Sequence, residues 1–105
     1  MKIATIATLL VFAAMFAGTI IFAAQTEATI EKGKALFHDP KLGTNGKTCN
    51  SCHPDGKGLE KSGSNPDLVN TINGCITIPL QGKALDPKSI EMQSLVLYLK
   101  SLGTR

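Results

Sequence analysis

Two apolar patterns divide the chain. Residues 3–24 run for 22 positions without a charge, whereas beyond Gln25 the apolar residues recur three or four apart, between stretches rich in Gly, Lys, Ser and Asn. The first periodic stretch predicts a helix over 25–37, with Thr26 as its cap, Glu27 in its first turn and Ile30, Gly33 and Phe37 along one face. Asp39-Pro40 stops it, because the residue before proline is pushed out of the helical region. The segment 41–65 reads as loop, apart from a turn around CNSCH. Asn65-Pro66 then reads as a helix start with proline at the first position, followed at helical spacing by Leu68, Val69, Ile72, Cys75 and Ile76. A loop over 77–85, containing Pro79 and Gly82, leads to Asp86-Pro87 as the opening of the last helix. Its stripe is Met92, Leu95, Val96, Leu99 and Leu102, and Gly103 ends it. No strand-period alternation and no internal repeat is present. The expected class is therefore all-α, with three to four short helices.

The segment 1–24 reads as a targeting segment, with Lys2 as a positive start and an uninterrupted apolar run behind it. Two forms of it stay open. Ala23 and Ala24 supply one of the small residues that signal cleavage requires, but Ile21 or Phe22 would hold the other position. The run is also long enough to cross a bilayer as an N-terminal membrane anchor. Either form places the domain, 25–105, in the periplasm or on the outer face of the cytoplasmic membrane. The 81 residues of that domain would bury only about 60% of their unfolded surface, a marginal core that calls for a supplement. Net charge is +3 for the whole chain, which is too mild to imply nucleic-acid binding.

The supplement is named by Cys49-Asn50-Ser51-Cys52-His53, a C-x-x-C-H run, the signature of covalent haem attachment. Two thiols three residues apart lie on one side of a single helical turn, where they can add to the two vinyl groups at one edge of a porphyrin. The adjoining His53 can then bring an imidazole nitrogen to the iron. Two other readings use the same residues. A thioredoxin-like redox pair expects a βαβ context, and the flanks here are loops. A zinc site needs four ligands, and a set drawn from Cys49, Cys52, His53 and either His38 or Cys75 has irregular spacing. The five-residue run in an exported helical chain favours one covalently attached haem c.

On these residues the chain resembles the class I cytochrome c superfamily over nearly all of 25–105. In that family an N-terminal helix carries a Gly and an aromatic four residues later, and crosses a C-terminal helix through an apolar residue and an aromatic three later. Gly33 with Phe37, and Leu95 with Tyr98, fit this pattern, and SLVLYLKSLG resembles the family's last helix. The resemblance implies a cytochrome c fold, helices packed around one haem, with Cys49 and Cys52 as the covalent attachments and His53 as one axial ligand.

For the second axial ligand the sequence offers several groups. Met92 is the usual type, but it follows the start of the last helix instead of lying in the loop before it, and it continues the Leu95 and Leu99 stripe as a packing residue would. Cys75 is a third cysteine in an exported chain, three residues after Ile72 and seven after Leu68, which predicts a place on the buried face of the second helix. The segment INGCITIPLQGKALDPKSIEMQSLVLYL also resembles haem domains of thiosulfate dehydrogenases and SoxA-type cytochromes, in which a Cys thiolate ligates iron and the Glu-Met pair recurs. His38, beside Asp39-Pro40, reads as a solvated loop side chain.

Ligand identity sets the potential, because thiolate lowers it and thioether raises it. The expected function is electron carriage by a monohaem c-type cytochrome in a respiratory or sulfur-oxidising chain, with redox proteins as partners and no bond chemistry of its own. Lys47, Lys57 and Lys61, near the motif in sequence, would steer acidic partners. The alternative is a haem subunit of a thiosulfate-oxidising enzyme with Cys-ligated iron. A gas sensor is a third reading.

Overall fold

The computed structural model of the protein describes residues 27–104, and the segment 1–24, read above as a targeting segment, and Thr26 lie outside them. Four α-helices follow one another: α1 (Ile30–Phe37), α2 (Cys49–Cys52), α3 (Leu68–Thr77) and α4 (Ile90–Leu102). Three short 3₁₀ turns, Pro40–Leu42, Pro54–Gly56 and Ser62–Ser64, punctuate the connections. No strand occurs among the described residues, so the domain is all-α. No helix among them is long and apolar enough to cross a membrane.

Each of the three longer helices begins a few residues later than its sequence signals imply, for local reasons. In α1 the observed cap is Thr29, whose extended backbone frees its hydroxyl to accept from the Lys32 N–H at 3.0 Å. The Thr29 N–H in turn donates to Ser94 Oγ of α4 at 3.2 Å, a tertiary bond that fixes where the helix starts. Before α3, the Asn65 side chain accepts from the Asp67 N–H at 2.8 Å and its carbonyl from the Leu68 N–H at 3.2 Å. Asn65-Pro66-Asp67 is thus used as a turn, and helical geometry starts at Leu68. Asp86-Pro87 behaves alike: Asp86 Oδ1 accepts from the Lys88 N–H at 2.8 Å and its carbonyl from the Ser89 N–H at 3.0 Å. Ser89 then caps α4 by accepting from the Met92 N–H at 3.1 Å.

The core is built where α1 crosses α4 and α3 closes over the side. Phe37, Leu68, Ile72, Ile76, Met92, Leu95, Tyr98, Leu99 and Leu102 form one buried cluster. Gly33 sits at the crossing. A Cβ there would overlap the Ser94 carbonyl oxygen and stand 2.6 Å from the Ser94 carbonyl carbon and 2.7 Å from Tyr98 Cβ. Only glycine lets the two backbones come this close. One turn along, the Phe37 and Tyr98 rings meet with centroids 5.2 Å apart and planes tilted by 58°.

Candidate functional site

The helices leave an apolar cleft between them, enclosing about 680 Å³ with its open mouth. Cys49, Cys52, His53 and Cys75 all line it; Phe37, Ile72, Leu80, Leu95 and Leu99 supply aliphatic and aromatic wall. Three of the sequence candidates and Cys75 are therefore brought to one cavity. Met92 is not. It is fully buried in the core and contributes no wall to this cleft. His38 is also elsewhere: it is exposed, its Nδ1–H donates to the Lys34 carbonyl at 2.9 Å, and its ring meets the Phe37 edge from outside.

The C-x-x-C-H turn is held by bonds of its own. Thr48 caps α2 by accepting from the Ser51 N–H at 3.1 Å, while Ser51 Oγ accepts from the Thr48 N–H at 2.9 Å, a reciprocal capping box. The His53 N–H returns to the Cys49 carbonyl at 3.0 Å. These bonds place both thiols on one short turn and leave His53 at its end. His53 Nδ1 lies 3.1 Å from the Lys57 carbonyl. A carbonyl oxygen can only accept, so Nδ1 carries the proton and Nε2 is left with the lone pair. An imidazole held this way has its ring plane fixed and its free nitrogen held in one direction. Just after His53, Asp55 and Gly56 adopt φ of 53° and 79°, turning the chain so that the Lys57 carbonyl reaches the ring.

Burial pushes the Cys49 thiol up to about 11, and negative charge on Cys75 and Cys52 would push it the same way against a lowering backbone hydrogen bond. All three cysteines are free thiols. Cys75 departs from its sequence expectation in one respect, since it is exposed and not packed in the core. The core face of α3 is Leu68, Ile72 and Ile76, and Cys75 stands on the neighbouring strip that borders the cleft. Among the described residues no three His, Cys, Asp or Glu side chains converge to grip one metal ion directly. The donors border a space instead of meeting at a point.

Lys47, Lys57 and Lys61 are exposed, as the loop composition implies. Two residues that sequence reasoning passed over also shape the site, Thr44 and Asn45, whose bonds to the segment after α3 span 34 to 37 positions of chain. Comparison of the chain with protein-family models, with curated proteins and with solved structures returned no match.

Proposed function

We propose that the protein is a monohaem c-type cytochrome that carries electrons, with haem c bound covalently through Cys49 and Cys52 and its iron held by His53. One observation carries the reading: the CNSCH turn borders an apolar cleft with two thiols and an imidazole whose Nε2 keeps its lone pair. The donor set fits the group. Thiols can add to vinyl carbons, neutral Nε2 can ligate iron, and the aliphatic walls suit the faces of a porphyrin. When bound, haem supplies the one-electron couple. The chain's own residues orient it, keep water from its faces and, through the Lys57 carbonyl, fix the ring orientation of His53. The crossing of α1 and α4 at Gly33 supports a cytochrome c fold for this domain.

A second reading is favoured by the placement of Cys75, which borders the cleft where Met92 does not. With Cys75 as the second axial ligand the potential falls, and the protein becomes a low-potential component of sulfur-compound oxidation or a haem subunit of a thiosulfate-oxidising enzyme. Export, by a cleaved signal or an anchor within residues 3–24, places either form in the periplasm or at the outer face of the membrane. Its partners are redox proteins. Lys47, Lys57 and Lys61 would steer acidic ones, and association would weaken with salt.

The test is the absorption spectrum and intact mass of the protein produced with haem-attachment machinery, beside Cys49→Ser, Cys52→Ser and Cys75→Ser. The expected result is covalent haem in the parent and loss of a thioether in each of the first two variants. An altered ferric spectrum confined to Cys75→Ser selects the low-potential form. A parent chain without covalent haem refutes the assignment.

A further inference from the structure

Asparagine stands directly before glycine at Asn45-Gly46 and at Asn73-Gly74, and the fold treats the two pairs differently. Asparagine amides are among the labile groups of proteins. A following glycine favours attack of its main-chain nitrogen on that amide, because it puts no side chain over the nitrogen. Asn73-Gly74 lies within α3, where the helix fixes the main-chain torsions. The Asn73 amide is also held at both ends by Leu85: Nδ2 donates to its carbonyl at 2.9 Å and Oδ1 accepts from its N–H at 2.8 Å. Attack there requires the helix and both bonds to open together.

Asn45-Gly46 lies in the loop between the first 3₁₀ turn and α2, and both residues are exposed. Gly46 has φ of 82°, a Cβ on it would meet nothing within 4 Å, and its N–H donates to no group among the described residues. Asn45 Oδ1 accepts from the Lys47 N–H at 3.1 Å. That bond closes a ring of atoms containing both the Gly46 nitrogen and Asn45 Cγ, so the attacking and attacked atoms are kept within one tight turn. It also sets a donor on the oxygen that becomes negative as Cγ is attacked.

We propose that Asn45 is a site of spontaneous, irreversible covalent modification, cyclising with Gly46 and opening to aspartate and isoaspartate, and that this change cuts the tie between the loop before α2 and the segment after α3. The Gly46 nitrogen gives its proton to hydroxide and bonds to Asn45 Cγ. The Cγ–Nδ2 bond breaks, and ammonia leaves with a proton taken from water. Water then opens the five-membered imide at either carbonyl. The net change is water in and ammonia out, with no electron transferred. The reaction needs no haem and stands apart from the function proposed above.

What the modification removes is a donor. Asn45 Nδ2 donates to the Pro79 carbonyl at 2.8 Å, beside the Thr44 N–H and hydroxyl, which hold the Leu80 and Gln81 carbonyls at 2.9 and 2.7 Å. A carboxylate there can only accept and faces a carbonyl that can only accept. In isoaspartate the main chain also runs through the former side chain, next to Thr44.

The test incubates the full chain at mildly alkaline pH, folded and in urea, and follows both asparagines by peptide mapping with mass spectrometry and isoaspartate detection. In the folded chain Asn45 should react roughly tenfold or more faster than Asn73, since opening α3 with both Leu85 bonds is harder than releasing one exposed amide donor. In urea the two rates should converge. Equal rates in the folded chain, or Asn73 reacting first, overturn the site. The modified fraction, separated by its added negative charge, is then compared with the parent and with Asn45→Asp, which keeps the oxygen that accepts from the Lys47 N–H. Hydrogen exchange at the Thr44 amide should rise by roughly fivefold in both, about the factor carried by one neutral hydrogen bond. Exchange at the parent rate overturns the loss of the tie.

Discussion

Replacing Gly33 by alanine tests the helix crossing with a result whose sign discriminates. In an isolated helix the change would stabilise, by about 1 kcal/mol of intrinsic propensity. Here the added Cβ meets the Ser94 carbonyl group and Tyr98 Cβ, the latter at 2.7 Å. Carbon atoms pack at ~3.5 to 4.0 Å, so α1 and α4 must part by roughly 1 Å. No side-chain rotation relieves this, because the atoms in the way belong to the α4 backbone and to the base of Tyr98. A gap of that size forfeits about a quarter to a half of the dispersion energy of the contacts it opens, those between Phe37 and Tyr98 included. Overpacking costs about 1–3 kcal/mol, and a clash with main-chain atoms that cannot rotate away belongs to the upper part of that range, about 2–3 kcal/mol. After the propensity gain, Gly33→Ala should lower stability by about 1–2 kcal/mol, which for a domain of this size is a fall in Tm of about 5 to 15 °C. Guanidinium and thermal unfolding measure it, and since Gly33 does not border the cleft, the absorption spectrum of the haem-bearing form proposed above should stay unchanged. A variant as stable as the parent, or more stable, would mean that the helices do not cross at Gly33.

Two other results follow from the same packing. Met92, fully buried in the core, should cost about 2–5 kcal/mol when cut to alanine and under about 1.5 kcal/mol when replaced by leucine, with the absorption spectrum unchanged in both. A spectrum altered by Met92→Leu would show that the thioether reaches iron. In the haem-free chain, Cys49 should respond to pH through its raised value of about 11 against an ordinary 9.0. The folded state favours the protonated thiol, so this stabilisation is complete below pH 9 and is lost as pH rises from 9 through about 11. Alkylation of Cys49 at pH 9 should accordingly be about 50-fold slower in the folded chain than in urea. Equal rates would mean that Cys49 is not buried in the folded chain.

Much of the architecture was written in apolar spacing, because the stripes of α3 and α4 are what the core buries: Leu68, Ile72 and Ile76 on one, Met92, Leu95, Leu99 and Leu102 on the other. The helix starts were misplaced at Asn65 and Asp86 because each side chain bonds a backbone N–H two residues on, and so makes a turn before the helix begins. Cys75 shows a different limit. Its spacing from Leu68 and Ile72 marks it as near the buried stripe, but whether that edge meets core or cleft depends on where the segment after α3 runs. That path is set by Thr44 and Asn45, donors in a polar loop whose acceptors are main-chain carbonyls and leave no trace in residue type. The His53 partner was hidden for the same reason, since a carbonyl has no letter in the sequence.

The bonds around His53 share one further property: they are all short in sequence. From Thr48 to Lys57 the capping box, the return of His53 to Cys49, the Asn50 side chain accepting from the Asp55 N–H at 2.7 Å and the ring bond to Lys57 each span five residues or fewer. A segment closed by such local contacts organises quickly and requires no partner from elsewhere in the chain. Thiols, imidazole and the acceptor that orients the ring thus lie within one run of chain, and their mutual geometry is set by neighbours in sequence and not by the path of the helices around them.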